Sequence, residues 1–129
     1  MHPFQTAIEA RDIPAVVQLL APDVTFRSPI VFAEYRGRDA VEPILHAIAE
    51  VFEDFRYTRS IGSPDGRDHA LVFSAVVGRR EVEGCDFIHV DDAGMVDELV
   101  VMVRPASAVV ALAEAMGDRL QDAPPTRRR

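Results

Sequence analysis

Ala70-Leu71-Val72-Phe73-Ser74-Ala75-Val76-Val77, then Gly78-Arg79-Arg80, then Glu81-Val82-Glu83-Gly84-Cys85-Asp86-Phe87-Ile88-His89-Val90, is the stretch whose reading decides the fold. A continuous apolar run rich in Val and Phe, a short turn, and a second run of strand length make two adjacent strands. Working outward, Asp91-Asp92-Ala93-Gly94 reads as another turn, and Met95 to Arg104 as a further strand. Upstream, Ser63-Pro64-Asp65-Gly66 has Pro at the second turn position and Gly at the last. Before it, Phe55-Arg56-Tyr57-Thr58-Arg59-Ser60-Ile61 alternates apolar and polar residues as a half-buried strand does. Four strands in a row, joined by short turns, predict an antiparallel meander.

The period changes on either side. Val41, Ile44, Leu45, Ile48, Val51, Phe52 and Phe55 recur at helical spacing behind Asp39-Ala40-Val41-Glu42, which has the form of a capping box. That predicts a helix of about four turns with one broad apolar stripe. Residues 2–21 read as helix broken near Arg11, with Asp12 as N-cap and Pro14 in the first turn of the second piece. Val24-Thr25-Phe26 and Val31 to Tyr35 read as short strands separated by Ser28-Pro29. Pro105 ends the last strand. Ser107 is the expected cap of a final helix, with Val109, Leu112, Ala113, Met116 and Leu120 on its apolar stripe. Helices gathered on one side of an antiparallel sheet make an α+β fold.

The chain has 129 residues, 48% hydrophobic and 27% charged, which suits a single domain over residues 1–121. Residues 122–129, with Pro124-Pro125 and three terminal arginines, read as a disordered tail. The net charge of −7, without a basic stripe in the folded part, argues against nucleic acid as a partner. No apolar run reaches the roughly 20 residues a membrane helix needs, and no membrane partner is expected. One cysteine, Cys85, rules out an internal disulfide framework and suits a reducing cytoplasm. His2, His46, His69 and His89 lack metal-ligand spacing, so neither a metal nor a cofactor is expected. Leu99-Val100-Val101-Met102-Val103 is apolar at every position, so both faces of that strand need cover. One face can line the interior. The other calls for the C-terminal helix or a second subunit, and a homodimer is the expectation.

The order of elements resembles the nuclear transport factor 2-like superfamily, and within it the SnoaL-like, ketosteroid-isomerase-like group. The resemblance is carried by Val17-Gln18-Leu19-Leu20-Ala21-Pro22-Asp23-Val24-Thr25-Phe26, Ser28-Pro29, Tyr35-Arg36-Gly37, Gly84-Cys85-Asp86-Phe87-Ile88, Asp92 to Leu99 and Val103-Arg104-Pro105. It covers residues 4 to 105 and implies a curved sheet wrapped by helices into a cone with an internal pocket, often as a homodimer. The C-terminal helix is an addition found in some members. The superfamily hosts isomerases, cyclases, hydrolases and non-catalytic binders, so function has to come from the site.

Asp86 is the candidate catalytic residue. On its strand it shares a face with Gly84, Ile88 and Val90, so a carboxyl group sits in apolar surroundings if that face is interior. Desolvation would raise its pKa and leave a neutral acid able to donate to a carbonyl or oxyanion. The alternative is a buried acid bonded to a neighbouring strand residue or a helix end, and both readings stay open. The resemblance places the group's proton-shuttling aspartate at Ser28 and its phenol donor near Phe4, and neither residue here can fill that role. Asp86 with Arg104 would supply two members of an Asp-Arg-Asp relay known in the superfamily's epoxide hydrolases. Phe26, Ser28, Phe52, Phe55, Tyr57, Phe73, Leu99 and Val101 are the expected ligand-binding residues, an apolar wall with two hydroxyls. The function these readings imply is the binding of a small apolar molecule. The alternatives are an acid–base enzyme of isomerase, cyclase or hydrolase type using Asp86, and a dimerising scaffold without catalysis.

Overall fold

A computed structural model of the chain describes residues 2–119. Two short helices, α1 (Pro3–Glu9) and α2 (Ile13–Leu19), lead into strands β1 (Leu20–Arg27) and β2 (Glu34–Arg36). The long helix α3 (Arg38–Val51) follows, then β3 (Glu53–Gly62), β4 (Asp68–Val77), β5 (Arg80–Val90), β6 (Val96–Arg104) and α4 (Ala106–Arg119). Leu120 of the expected final stripe and the expected tail at 122–129 lie outside the described residues. No helix among the described residues is long and apolar enough to cross a membrane.

The six strands form one sheet in the order β2-β1-β6-β5-β4-β3. The meander from β3 to β6 is antiparallel throughout, with Asp86 opposite Leu71 on one side and Val101 on the other. β1 joins β6 in parallel, a pairing that only a long crossover through the helices and the meander permits. The sheet is therefore antiparallel except at that one seam.

The local rules set most helix ends. Asp12 caps α2 by accepting from the Ala15 amide at 3.2 Å. The break between α1 and α2 falls at Arg11, whose φ of 57° bends the chain back. Its guanidinium donates to the carbonyls of Ala49 and Phe52 and so satisfies the C-terminal end of α3. The expected capping box does not form. The N-cap of α3 is Gly37, at φ 88°, and Asp39 lies inside the first turn, where its charge still suits the positive end of the helix dipole. Arg38 anchors this entry by donating to the Leu20 carbonyl at 2.8 Å through Nε. At α4 the helix begins before Ser107: the Pro105 carbonyl accepts from Ala108 and Val109, so Pro105 holds the cap position.

The concave face of the sheet carries the core. Phe26, Leu71, Phe73, Ile88 and Leu99 are buried there against Val41, Ile44 and Leu45 of α3. The C-terminal helix packs on this same inner side, with Ala108, Leu112 and Met116 buried. On the outer side Phe87 and Met102 remain 40% and 57% exposed. The C-terminal helix α4 thus covers the interior and not that outer face.

Candidate functional site

Asp86 points inward, as the alternation of β5 requires, and is 7% exposed. Its Oδ2 accepts a hydrogen bond from the Tyr57 hydroxyl at 2.6 Å. The tyrosine reaches across β4 from β3, its own amide tied to Glu9 of α1 at 3.0 Å. Burial pushes the Asp86 carboxyl up to about 7, with the Tyr57 hydrogen bond opposing the rise. Burial, and then the neighbouring carboxylate, pushes the Tyr57 phenol far above its ordinary value, so it stays a donor. The pair is thus a carboxyl poised near neutrality and a neutral phenol, sharing one short hydrogen bond.

The aromatic residues around it are packed together. Phe55 stacks on Phe73 at 4.8 Å between centroids and meets Tyr57 edge-on at 5.0 Å, while Phe52 meets Phe73 at 5.6 Å. Gly84 makes room for this cluster: a Cβ there would stand 2.3 Å from Phe73 Cζ and 2.6 Å from the Met102 carbonyl oxygen.

A chamber of about 130 Å³ lies between β1, β6, α3 and α4. Of the expected ligand-binding residues, Phe26, Ser28, Phe52 and Val101 line it. Phe55, Tyr57, Phe73, Leu99 and Asp86 are not among its lining residues. Asp86 is separated from the chamber by one strand, since Val101 is its direct partner across β5 and β6. The lining also includes Tyr35, Ile44, Ile48, Leu112 and Met116, which the sequence presents only as helix stripes or a strand end. Their convergence is a matter of how α3 and α4 cross, which no periodicity encodes.

The remaining candidates separate from the site. Ser28 Oγ accepts from the amides of Ile30 and Val31, holding the loop after β1 in a tight turn. Phe4 is fully buried in the core. Arg104 lies on the outer side, ion-paired with Glu83 at 3.1 Å, so it cannot form a relay with Asp86. His89 also faces outward and pairs with Asp97 at 2.6 Å, while His46 is an exposed partner of Glu42 on α3. Among the described residues no group of three or more His, Cys, Asp and Glu side chains is placed to hold a metal ion.

A curved sheet wrapped by helices into a cone is the fold of the ketosteroid-isomerase-like, nuclear transport factor 2-like class. The family model of the SnoaL-like domain matches residues 2–99, and the chain belongs to that family. Among solved structures it is similar to a steroid delta-isomerase from Pseudomonas aeruginosa, at 46% identity, 90% of this chain, 85% of that chain and a TM-score of 0.85. It is also similar to an uncharacterised protein with a cystatin-like fold from Silicibacter pomeroyi, at 35% identity, 95% of this chain, 88% of that chain and a TM-score of 0.88. A putative polyketide cyclase from Xanthomonas campestris shares the fold at 15% identity, covering 85% of this chain and 91% of that chain, with a TM-score of 0.68. No curated protein matches the chain.

Proposed function

We propose that this protein binds a small apolar molecule in the chamber between α3, α4 and the β1–β6 seam. The observation that carries the reading is the chamber itself, an apolar space roofed by Leu112 and Met116 of α4 and floored by Phe26 and Val101. At about 130 Å³ it is below the range of roughly 300–1,000 Å³ typical of drug-sized sites, which favours a compact ligand. A thermal-shift screen of monoterpenoids and other compact apolar compounds tests this. A compound present at about one hundred times its Kd should stabilise the fold by about 2.7 kcal/mol. Leu112→Trp, which fills the chamber, should abolish the shift while leaving the protein folded. A shift that survives Leu112→Trp places the ligand elsewhere and sinks the reading.

A second reading, an acid–base enzyme, is favoured by one observation: the 2.6 Å bond between Tyr57 and a carboxyl with a pKa near 7. A general acid or base is most effective with its pKa near the working pH. The similarity to a protein described as a steroid delta-isomerase supports testing a β,γ-unsaturated ketosteroid as substrate. Asp86 would be the proton-transferring group and Tyr57 its positioning partner. Substrate in the chamber would have to reach past Val101, which lines it and pairs with Asp86 across β5 and β6.

The outer face supports pairing with a second copy of the chain. Phe87, Val100 and Met102 stand together on β5 and β6, beside ion pairs of both signs, Arg104–Glu83 and His89–Asp97. A two-fold copy meets such a patch with its own complement. Sedimentation equilibrium should give twice the chain mass, and Met102→Glu should give the monomer. A monomeric wild-type protein, or a dimer indifferent to Met102→Glu, overturns the pairing. The unpaired thiol of Cys85 fits residence in a reducing cytoplasm.

A further inference from the structure

The chamber's wall is nearly all hydrocarbon, but two of its residues carry hydroxyls, Ser28 and Tyr35. Their hydrogen-bonding states are unequal and constrain what can enter. A serine oxygen has two lone pairs and one proton to give. Both accepting positions at Ser28 are taken, by the Ile30 amide at 3.2 Å and the Val31 amide at 3.0 Å. What remains is its O–H, which can only donate. Tyr35 is 6% exposed, and its hydroxyl makes no hydrogen bond among the described residues. Burial raises its pKa, so it stays a neutral phenol, a better donor than acceptor. Among the described residues the lining has no Lys, Arg, His, Asp or Glu.

We propose that the chamber selects neutral apolar molecules bearing one hydrogen-bond acceptor, a carbonyl or ether oxygen, held by the Tyr35 and Ser28 hydroxyls. This rests on the chamber being the binding site. A carboxylate finds no cation there to offset its desolvation. A pure hydrocarbon seated there would shut the Tyr35 hydroxyl and the half-buried Ser28 hydroxyl off from water without a partner, and an acceptor repairs that at no cost in shape. Tyr35 and Ser28 are then the specificity-determining residues, and Asp86 is not part of the recognition.

Two matched pairs, menthone with p-menthane and camphor with bornane, separate this inference from the reading it rests on. Each pair shares a carbon skeleton and differs in one carbonyl. NMR titration of the full chain should give a Kd about tenfold lower for each ketone than for its hydrocarbon. In Tyr35→Phe the gap should narrow, and in Tyr35→Phe with Ser28→Ala it should close; the readout is the ratio of ketone to hydrocarbon Kd, because Ser28→Ala also frees the Ile30–Val31 turn that lines the chamber. Hydrocarbons that bind the wild type as tightly as the ketones overturn the selectivity and leave the chamber standing. A gap that survives in the double variant overturns the assignment of the donors. If none of the four binds, the chamber reading falls and the selectivity falls with it.

Discussion

Gly84→Ala is expected to destabilise the protein by about 3 kcal/mol or more and to lower Tm by about 10 °C. The added methyl would stand 2.3 Å and 2.7 Å from ring atoms of Phe73 and 2.6 Å from the carbonyl oxygen of Met102. No rotamer of the alanine relieves this, because a Cβ has no rotamer. The ring cannot swing aside freely either, being stacked on Phe55 and met edge-on by Phe52 and Tyr57. The third atom is backbone on β6, bonded into the ladder with β5. Thermal unfolding by circular dichroism measures the loss. Gly84→Ala combined with Phe73→Leu should cost less than the two single changes added together, because the smaller side chain removes two of the three clashes. A Gly84→Ala protein within 1 kcal/mol of wild type would show that the ring does not lie over this residue.

Asp86→Asn is expected to stabilise the protein at neutral and alkaline pH and to leave it nearly unchanged near pH 4. The folded carboxyl titrates at about 7 and the unfolded one at 3.8. Between those values the native state holds a proton that the unfolded chain has released. Stability therefore falls as pH rises through this window and levels off above it. The separation is about 3 pH units, which at ~1.4 kcal/mol each makes ~4 kcal/mol the upper bound of the penalty. Asparagine keeps an oxygen for the Tyr57 hydroxyl and has nothing to ionise. Denaturant unfolding of both proteins from pH 4 to 8 should show a gap that opens with pH, toward 2–4 kcal/mol at pH 8. Other titrating groups, His89 and His2 among them, cancel in the difference. A pH-independent gap means that Asp86 titrates as an ordinary carboxyl. The same variant decides the enzymatic reading: loss of at least about a hundredfold in turnover of a β,γ-unsaturated ketosteroid supports it, and unchanged turnover removes it.

The two variants also mark how far the residues could be read in one dimension. That Asp86 shares a face with Gly84, Ile88 and Val90 follows from two-residue alternation alone, while the inward direction of that face is given by the packing of the sheet. The reach of Tyr57 to Asp86 does not follow, since it spans three strands and depends on register and on a ring that bends over β4. The turns at Ser63–Gly66 and Asp91–Gly94 could be read because their residues carry the required backbone preferences. The cap of α3 lies at Gly37 and not at Asp39: Asp39 has capping chemistry, but glycine readily tolerates the φ of 88° that the entry from β2 imposes. The resemblance read from the quoted segments agrees with the family match over residues 2–99.

The meander and the face shared by Asp86, Ile88 and Val90 were thus decided by the chain's own order of apolar and polar residues, because face alternation and turn chemistry are local. Only the tertiary structure decided what surrounds that acid. The final helix has an apolar stripe that would suit either side of β6. It lies inside the cone, where Leu112 and Met116 are buried and line the chamber. A stripe states that a helix must be covered, and not by what. Which surface covers it is set by contacts between residues far apart in the chain, and those appear only when the whole sheet has closed around its core.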